Sequence, residues 1–222
     1  MSTDKDTLGD TTILESSAPV APATFGRRIL ALLIDMLLLA VPCGVLAAIS
    51  MLLLVLPKLR HHEGGANGPS AVEHYMFHGY LPTVGIIQLA QATLAVAYFA
   101  IAHWLTARTV GKSALRLRVV TARGEKLGFG RSLLRATAFA YPPFLGSLGF
   151  ISFRFLPVGQ AAICCLTLGL TGFAWVLGEV ISAATDTRWG RSLHDRVSAT
   201  RVISATRIAP QAAAAKAGSP PP

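Results

Sequence analysis

Acidic side chains are scarce in this chain: 11 Asp and Glu stand against 20 Lys and Arg in 222 residues, and charges of both signs make up only 14%. Soluble domains carry about 25% charged residues. Cysteine is scarcer still, at 3, an odd number, which excludes a small secreted scaffold built on disulfide pairs. What fills the chain is apolar: 52% of residues are hydrophobic and the mean hydropathy is +0.53. A disordered chain lacks such apolar mass. A polytopic membrane protein or a very apolar soluble core remains, and the distribution along the chain decides between them.

The hydrocarbon layer of a bilayer is about 30 Å thick, so a spanning helix needs roughly 20 mostly apolar residues. Four stretches meet that length. Residues 29–56 carry one charge, Asp35, and residues 81–105 carry none. The first would be about 42 Å long as a helix, so it must tilt or kink, and Pro42 marks the place for a kink. Residues 132–152 hold Pro142-Pro143 at their centre, which predicts an interrupted or re-entrant segment. Residues 157–184 carry one charge, Glu179. The expected architecture is an all-α integral membrane protein with four transmembrane helices within residues 25–207. Tails at 1–24 and 208–222 are expected to be disordered. The first 24 residues lack the basic start of a secretory signal.

Lys and Arg fall unevenly between the two sides of such a bundle. Three precede the first stretch, eight lie in or beside the second loop, and six follow the fourth stretch; the opposite side holds only Lys58, Arg60 and Arg154. The positive-inside rule then places both termini in the cytoplasm. The net charge of +9 is a topology signal, and it predicts attraction to anionic lipid, not a nucleic-acid partner.

Within the second loop, 116–127 alternates and contains β-branched residues before Gly124, which predicts a cytoplasmic β-hairpin. Residues 200–203 are a further strand candidate, expected to pair with 117–120 and cover the hairpin's open edge. The outer loop, 57–80, holds four of the six His. His74 and His78 stand four apart, as a zinc or copper site on a helix needs; the alternative is a solvated loop. Gly111-Lys112-Ser113 is like the end of a phosphate-binding loop, but Thr106 stands where the pattern needs Gly. No nucleophile elbow is present and His194-Asp195 lacks a third member. Neither an enzyme nor a cofactor is expected.

Asp35 and Glu179 carry the functional question, because an ionisable group within a bilayer costs at least about 2.5–3.5 kcal/mol. Helix rise places Asp35 about 9 Å and Glu179 about 7–8 Å from the same membrane face, with Tyr98 at a similar level. Arg28 precedes Asp35 by close to two turns, and Arg135 can snorkel towards either carboxylate. Two readings stay open. Two adjacent carboxylates share a raised pKa and can trade a proton for a small cation; or Asp35 is held by an Arg and fixes helix register. A chain of four spans makes a thin wall for a solute path, so transport predicts a homo-oligomer, whereas the second reading predicts a membrane scaffold bound to another membrane protein.

The run Phe25-Gly26-Arg27-Arg28-Ile29-Leu30-Ala31-Leu32-Leu33-Ile34-Asp35 resembles the opening of the RDD family of bacterial membrane proteins, named for one Arg and two Asp. Arg28 and Asp35 match the first two of these. Similar motifs follow at residues 109–120 and 129–135. The closing motif, Gly190-Arg191-Ser192-Leu193-His194-Asp195-Arg196, supplies Asp195 as the second Asp. The resemblance implies a bacterial inner-membrane protein with a transport-related role, a member being associated with sodium/proton exchange. Asp195 then lies at the cytoplasmic surface, within reach of Lys112, Arg116 or Arg135, either as a salt bridge closing two loops or as a cation gate. Glu179 belongs to no motif of the family.

Overall fold

The computed structural model describes residues 22–57 and 73–204. The first long helix, α1 (Phe25–Ser50), is apolar around its whole circumference, and it buries only a narrow stripe: Ala31, Asp35 and Leu39. These residues stand four apart and so share one face. Leu37, on the opposite face, is 75% exposed, as a lipid-facing side chain is. Pro42, the expected kink site, lies inside a helix that continues through it, and a π-helical turn follows at Met51–Val55.

The second long helix, α2 (Leu81–Thr106), is preceded by a π turn at Met76–Tyr80 and begins as a helical unit at Glu73, so the expected loop at 57–80 is helical over its last part. It stops where Ala107 adopts a left-handed conformation, φ 56°. A short helix, α3 (Val110–Ala114), leads into strand β1 (Leu117–Thr121). Helices α4 (Phe129–Ser152) and α5 (Val158–Thr185) follow, then short α6 (Leu193–Val197) and β2 (Thr200–Ser204). The two helices expected between Arg135 and Asp186 are therefore present.

Among the described residues, three helical units are long and apolar enough to cross a bilayer: Phe25–Leu53, Glu73–Thr106 and Val158–Thr185. The expected fourth, α4, is continuous through Pro142 and Pro143 but less apolar. Its position explains its composition. It packs on both α2 and α5, and its buried face is small or polar: Ser132, Arg135, Ala136, Ala140, Ser147 and Gly149. Close approach replaces greasy bulk here. A Cβ on Gly85 of α2 would stand 2.8 Å from the carbonyl oxygen of Ser147.

The expected hairpin is not formed. β1 pairs antiparallel with β2, in the register Leu117↔Ser204 to Thr121↔Thr200, which is the long-range pairing expected for 117–120 and 200–203. After Thr121 the chain turns at Gly124, φ 91°, and enters α4 instead of returning as a strand. Pro22 bridges to Ile203 and the Ala23 N–H donates to the Val202 carbonyl (3.2 Å). Ordered packing thus begins before the expected tail boundary at residue 24. The rest of both tails, with His61 and His62, lies outside the described residues. These contacts gather the segments before α1, after α2 and after α5 at one end of the bundle, the end where Lys and Arg concentrate.

Leu117 is fully buried in the small core that joins this sheet to Ala23, Ala31, Val119, Leu127 and Val202. Leu117→Ala is expected to cost about 2–5 kcal/mol. Leu37→Ala, on the outer face of α1, is expected to cost far less. Chemical denaturation of the detergent-solubilised protein, followed by circular dichroism, checks the difference.

Candidate functional site

Two acid-centred clusters sit at the basic end of the bundle. The first is built on Asp35, which is 0% exposed. Its Oδ1 accepts from the Tyr98 hydroxyl (2.7 Å) and from the Gly111 N–H (2.8 Å), and its Oδ2 accepts from the Thr109 hydroxyl. Tyr98 Oη in turn accepts from the Val110 N–H, and Thr109 Oγ1 from the Lys112 N–H. An α1 carboxylate and a Thr cap thus share the otherwise unpaired N–H groups at the start of α3. This contact requires glycine at 111. A Cβ there would lie 2.0 Å from the Ala31 carbonyl oxygen and 3.0 Å from the Asp35 carboxyl carbon.

The second cluster is built on Asp195, 2% exposed on α6. Arg135 of α4 pairs with its Oδ1 and Arg28 of α1 lies 3.7 Å from its Oδ2. Arg28 also donates to the carbonyls of Trp189, Gly190 and Val202, so one guanidinium ties α1 to the α5–α6 loop and to β2. Asp195 also caps its own helix: with Ser192 it forms a reciprocal capping box. Burial pushes the Asp195 carboxyl up, but the charges of Arg135, His194 and Arg28 outweigh this and hold it at about 2.

Glu179 of α5 faces His194, not Asp35. The His194 N–H donates to Glu179 Oε1 (2.9 Å) and ring Nδ1 lies 2.8 Å from Oε2. On the other side of the ring, Arg135 Nη2 is 3.2 Å from Nε2. A guanidinium can only donate. Nε2 therefore faces a donor and Nδ1 a carboxylate, so the ring links Arg135 to Glu179.

A cavity of about 330 Å³ opens beside the second cluster. Its upper wall is apolar, with Phe99, Phe139 and Trp175, and its polar floor holds Arg28, Lys112, Arg135, His194, Asp195 and Glu179. Lys112 Nζ lies 3.3 Å from His103 Nε2 and 5.9 Å from the Phe99 ring centroid. Among the described residues it makes no ion pair with a carboxylate. Burial, with the Arg135 charge beside it, pulls the ammonium down to about 8 against the opposing pull of Asp35 and Asp195.

The structure thus brings Arg28, Arg135 and Asp195 together, and separately Asp35 and Tyr98. The expected pairing of Asp35 with Glu179 is not made, because each carboxylate has its own donors. Asp195 pairs with Arg135 but forms no ion pair with Lys112 or with Arg116, which is exposed. His74 and His78 do face each other, with ring centroids 4.7 Å apart, but His78 Nδ1 lies 2.8 Å from the Phe153 carbonyl oxygen. Among the described residues no third His, Cys, Asp or Glu joins them. Sequence reading missed His194 and Thr109 as site residues. Thr109 carries a signal, as a Thr two residues before a Gly at a helix start. His194 carries only its place beside Asp195.

A model of the RDD family matches residues 22–199 of the chain. A protein of Bacillus subtilis (strain 168), described as the uncharacterized protein YxaI, is 29% identical over 143 residues, which cover 60% of this chain and 86% of that one. No solved structure matches the chain.

Two outcomes follow from the clusters. Gly111→Ala is expected to separate α3 from α1 and abolish the recovery of folded protein from membranes, measured by size-exclusion chromatography in detergent. Asp195 is held near 2, below the about 3.9 of an unfolded aspartate. Its ionised form therefore contributes stability above about pH 4, which is lost as pH falls through that value towards 2. Thermal unfolding across pH 2–6 reads this slope. Asp195→Asn is expected to remove it and to cost about 3–5 kcal/mol at neutral pH, because two buried guanidiniums lose their counter-charge.

Proposed function

We propose, from the premise that this chain belongs to the RDD family, that it is a component or accessory of transport in the bacterial inner membrane, with its basic end and both termini in the cytoplasm. Small cations exchanging against a proton are the solutes it is read to serve. The observation that carries this reading is the position of Glu179, a carboxylate at the wall of the cavity whose side-chain partner is the ring of His194 and not an Arg or Lys. Deprotonated, it offers an anionic oxygen to a cation entering from the basic end; protonated, it releases that cation. Asp35 and Tyr98 have a different role here. Their hydrogen bonds are spent on holding α3 against α1, and the reading gives them no part in binding solute.

A non-enzymatic role fits the geometry of Ser192, His194 and Glu179, which stand together in the order of a hydrolytic triad. Ser192 Oγ is 3.0 Å from Nδ1 and 3.3 Å from Nε2. Near-equal distances to both ring nitrogens place it over the face of the ring, off the lone-pair axis that a base needs. The same hydroxyl caps α6.

A second reading is a non-transporting scaffold. It is favoured by the outer face of α5, where Ile163, Leu166, Leu170 and Phe173 are each about 60% exposed or more. Such a face packs against lipid, a second copy of the chain, or another membrane protein. Cross-linking in native membranes separates the readings: self-association favours transport and one dominant foreign partner favours the scaffold.

The transport reading is tested in proteoliposomes loaded with a pH-sensitive dye and challenged with Na⁺, K⁺ and Li⁺. The wild-type chain is expected to show cation-dependent proton flux, and Glu179→Gln to lower it at least about tenfold, in the range of lost general acid–base catalysis. Flux at the wild-type level in Glu179→Gln would sink the exchange mechanism. Absence of flux in the wild type for all three ions would leave the scaffold.

A further inference from the structure

The cavity has more hydrogen-bond donors than acceptors to meet them. Its two carboxylates are already engaged, Asp195 by Arg28 and Arg135 and Glu179 by His194. On the donor side, Lys112 has one ring nitrogen for its three hydrogens. Arg28 Nε and Trp175 Nε1 are buried and have no hydrogen-bond partner among the described residues. All three residues line the cavity. Buried donors of this kind cost free energy until something accepts from them, so the missing partner is rich in acceptors and anionic.

The rim of the same cavity selects a second property. Helix α1 is tied to α2 and α3, and α5 to α4 and α6, while residues of both α1 and α5 line the cavity. Phe25 and Ile29 on one side and Val176 and Val180 on the other are 41–53% exposed. The opening between them is apolar, on the long helices that face lipid. A soluble anion would have no use for such a rim. A molecule with an anionic head and a hydrocarbon tail satisfies both ends, the head at Lys112 and Arg28 and the tail leaving sideways between α1 and α5. The cavity volume of about 330 Å³ holds a head and the first part of a chain, and the remainder stays in the bilayer.

We infer that this cavity is a binding site for an anionic phospholipid of the adjacent leaflet, its phosphate held by Lys112 and Arg28 and its acyl chain lying in the cleft between α1 and α5. The site is distinct in chemistry from the proton-carrying role given to Glu179, and it stands whether or not the chain moves solute.

The test uses the full chain in phosphatidylcholine vesicles, with Trp104→Phe and Trp189→Phe leaving Trp175 as the only one of the 3 tryptophans. Brominated phosphatidylglycerol and brominated phosphatidylcholine are added at equal mole fraction. Quenching of Trp175 is expected to favour phosphatidylglycerol about fivefold, the worth of one basic residue acting on an anionic head. Lys112→Gln is expected to bring the two lipids to parity, and Lys112→Arg to keep the preference. Equal quenching by both lipids in the parent, or an undiminished preference in Lys112→Gln, overturns the site. Release of the quenching by inorganic phosphate would assign it to a free anion and also overturn it. Native mass spectrometry of the chain with all its tryptophans in place supplies an independent reading. One phosphatidylglycerol retained per chain, and lost in Lys112→Gln, is expected, whereas a wild-type chain that carries none counts against the proposal even if the tryptophan variants do not fold.

Discussion

The fold depends on one buried carboxylate, Asp195, lodged between the guanidiniums of Arg28 and Arg135. Taking three charges out of water is expensive, and the attraction between them repays this only if the remaining donors and acceptors are also met. Here backbone meets most of them, with Arg28 Nε left over. Arg28 reaches three carbonyls from two different segments, and Asp195 also accepts from the Ser192 N–H at the cap of α6. The cluster therefore does more than bind two helices. It fixes the rotation of α1, the position of α4 and the path of the chain after α5 at once. Arg28 stands in the first turn of α1, where the helix dipole disfavours a cation, and Asp195 offsets that penalty.

Asp35 solves a related problem in a different way. A carboxylate on the buried stripe of an otherwise apolar helix has no water and, in this structure, no arginine. Three uncharged donors replace them: a phenol, a hydroxyl and a backbone N–H. The result fastens the second loop to the first helix. Because the loop carries β1, and β1 pairs with β2, the two acid clusters share one small sheet between them. Asp195 reaches it through the α6–β2 turn and Arg28 through Val202, while Asp35 reaches it through α3. Damage at either acid propagates to the other through this sheet.

Several of these features were legible in the residue order. The long apolar stretches, the single charges within them and the alternation at 117–120 and 200–203 announce helices, a buried acid and a strand pair, because each has a fixed period. What was not legible has a common cause. Helix rise gives the depth of Asp35 and Glu179 but not the direction each one faces, so it cannot separate adjacent carboxylates from an acid with partners of its own. Asp35 faces α3 because Ala31 and Leu39 share its stripe. Glu179 faces α6 because the turn after Thr185 brings His194 back against it. The turn at Gly124 was read as the bend of a hairpin, when the strand that completes the sheet lies some eighty residues later. Pro142 and Pro143 were read as a break, but their helix is held on both sides by α2 and α5, and flanking contacts sustain a helix through proline in a way an isolated segment cannot manage.

Charge at the cavity constrains any function assigned to it. Arg28, Lys112 and Arg135 all line the floor next to Glu179, so a small cation approaching that carboxylate meets three positive groups first. In a site of low dielectric this repulsion is large at short range. Arg28 and Arg135 are compensated by Asp195, which leaves Lys112 as the group that sets the sign of the local field. An anionic lipid head beside Lys112 would remove that barrier without touching Glu179. On these proposals the lipid and the exchangeable proton belong to one electrostatic unit. The acyl chain would close the cleft between α1 and α5 against leakage, the phosphate would neutralise the floor, and Glu179 would then be the remaining group whose charge changes with its proton.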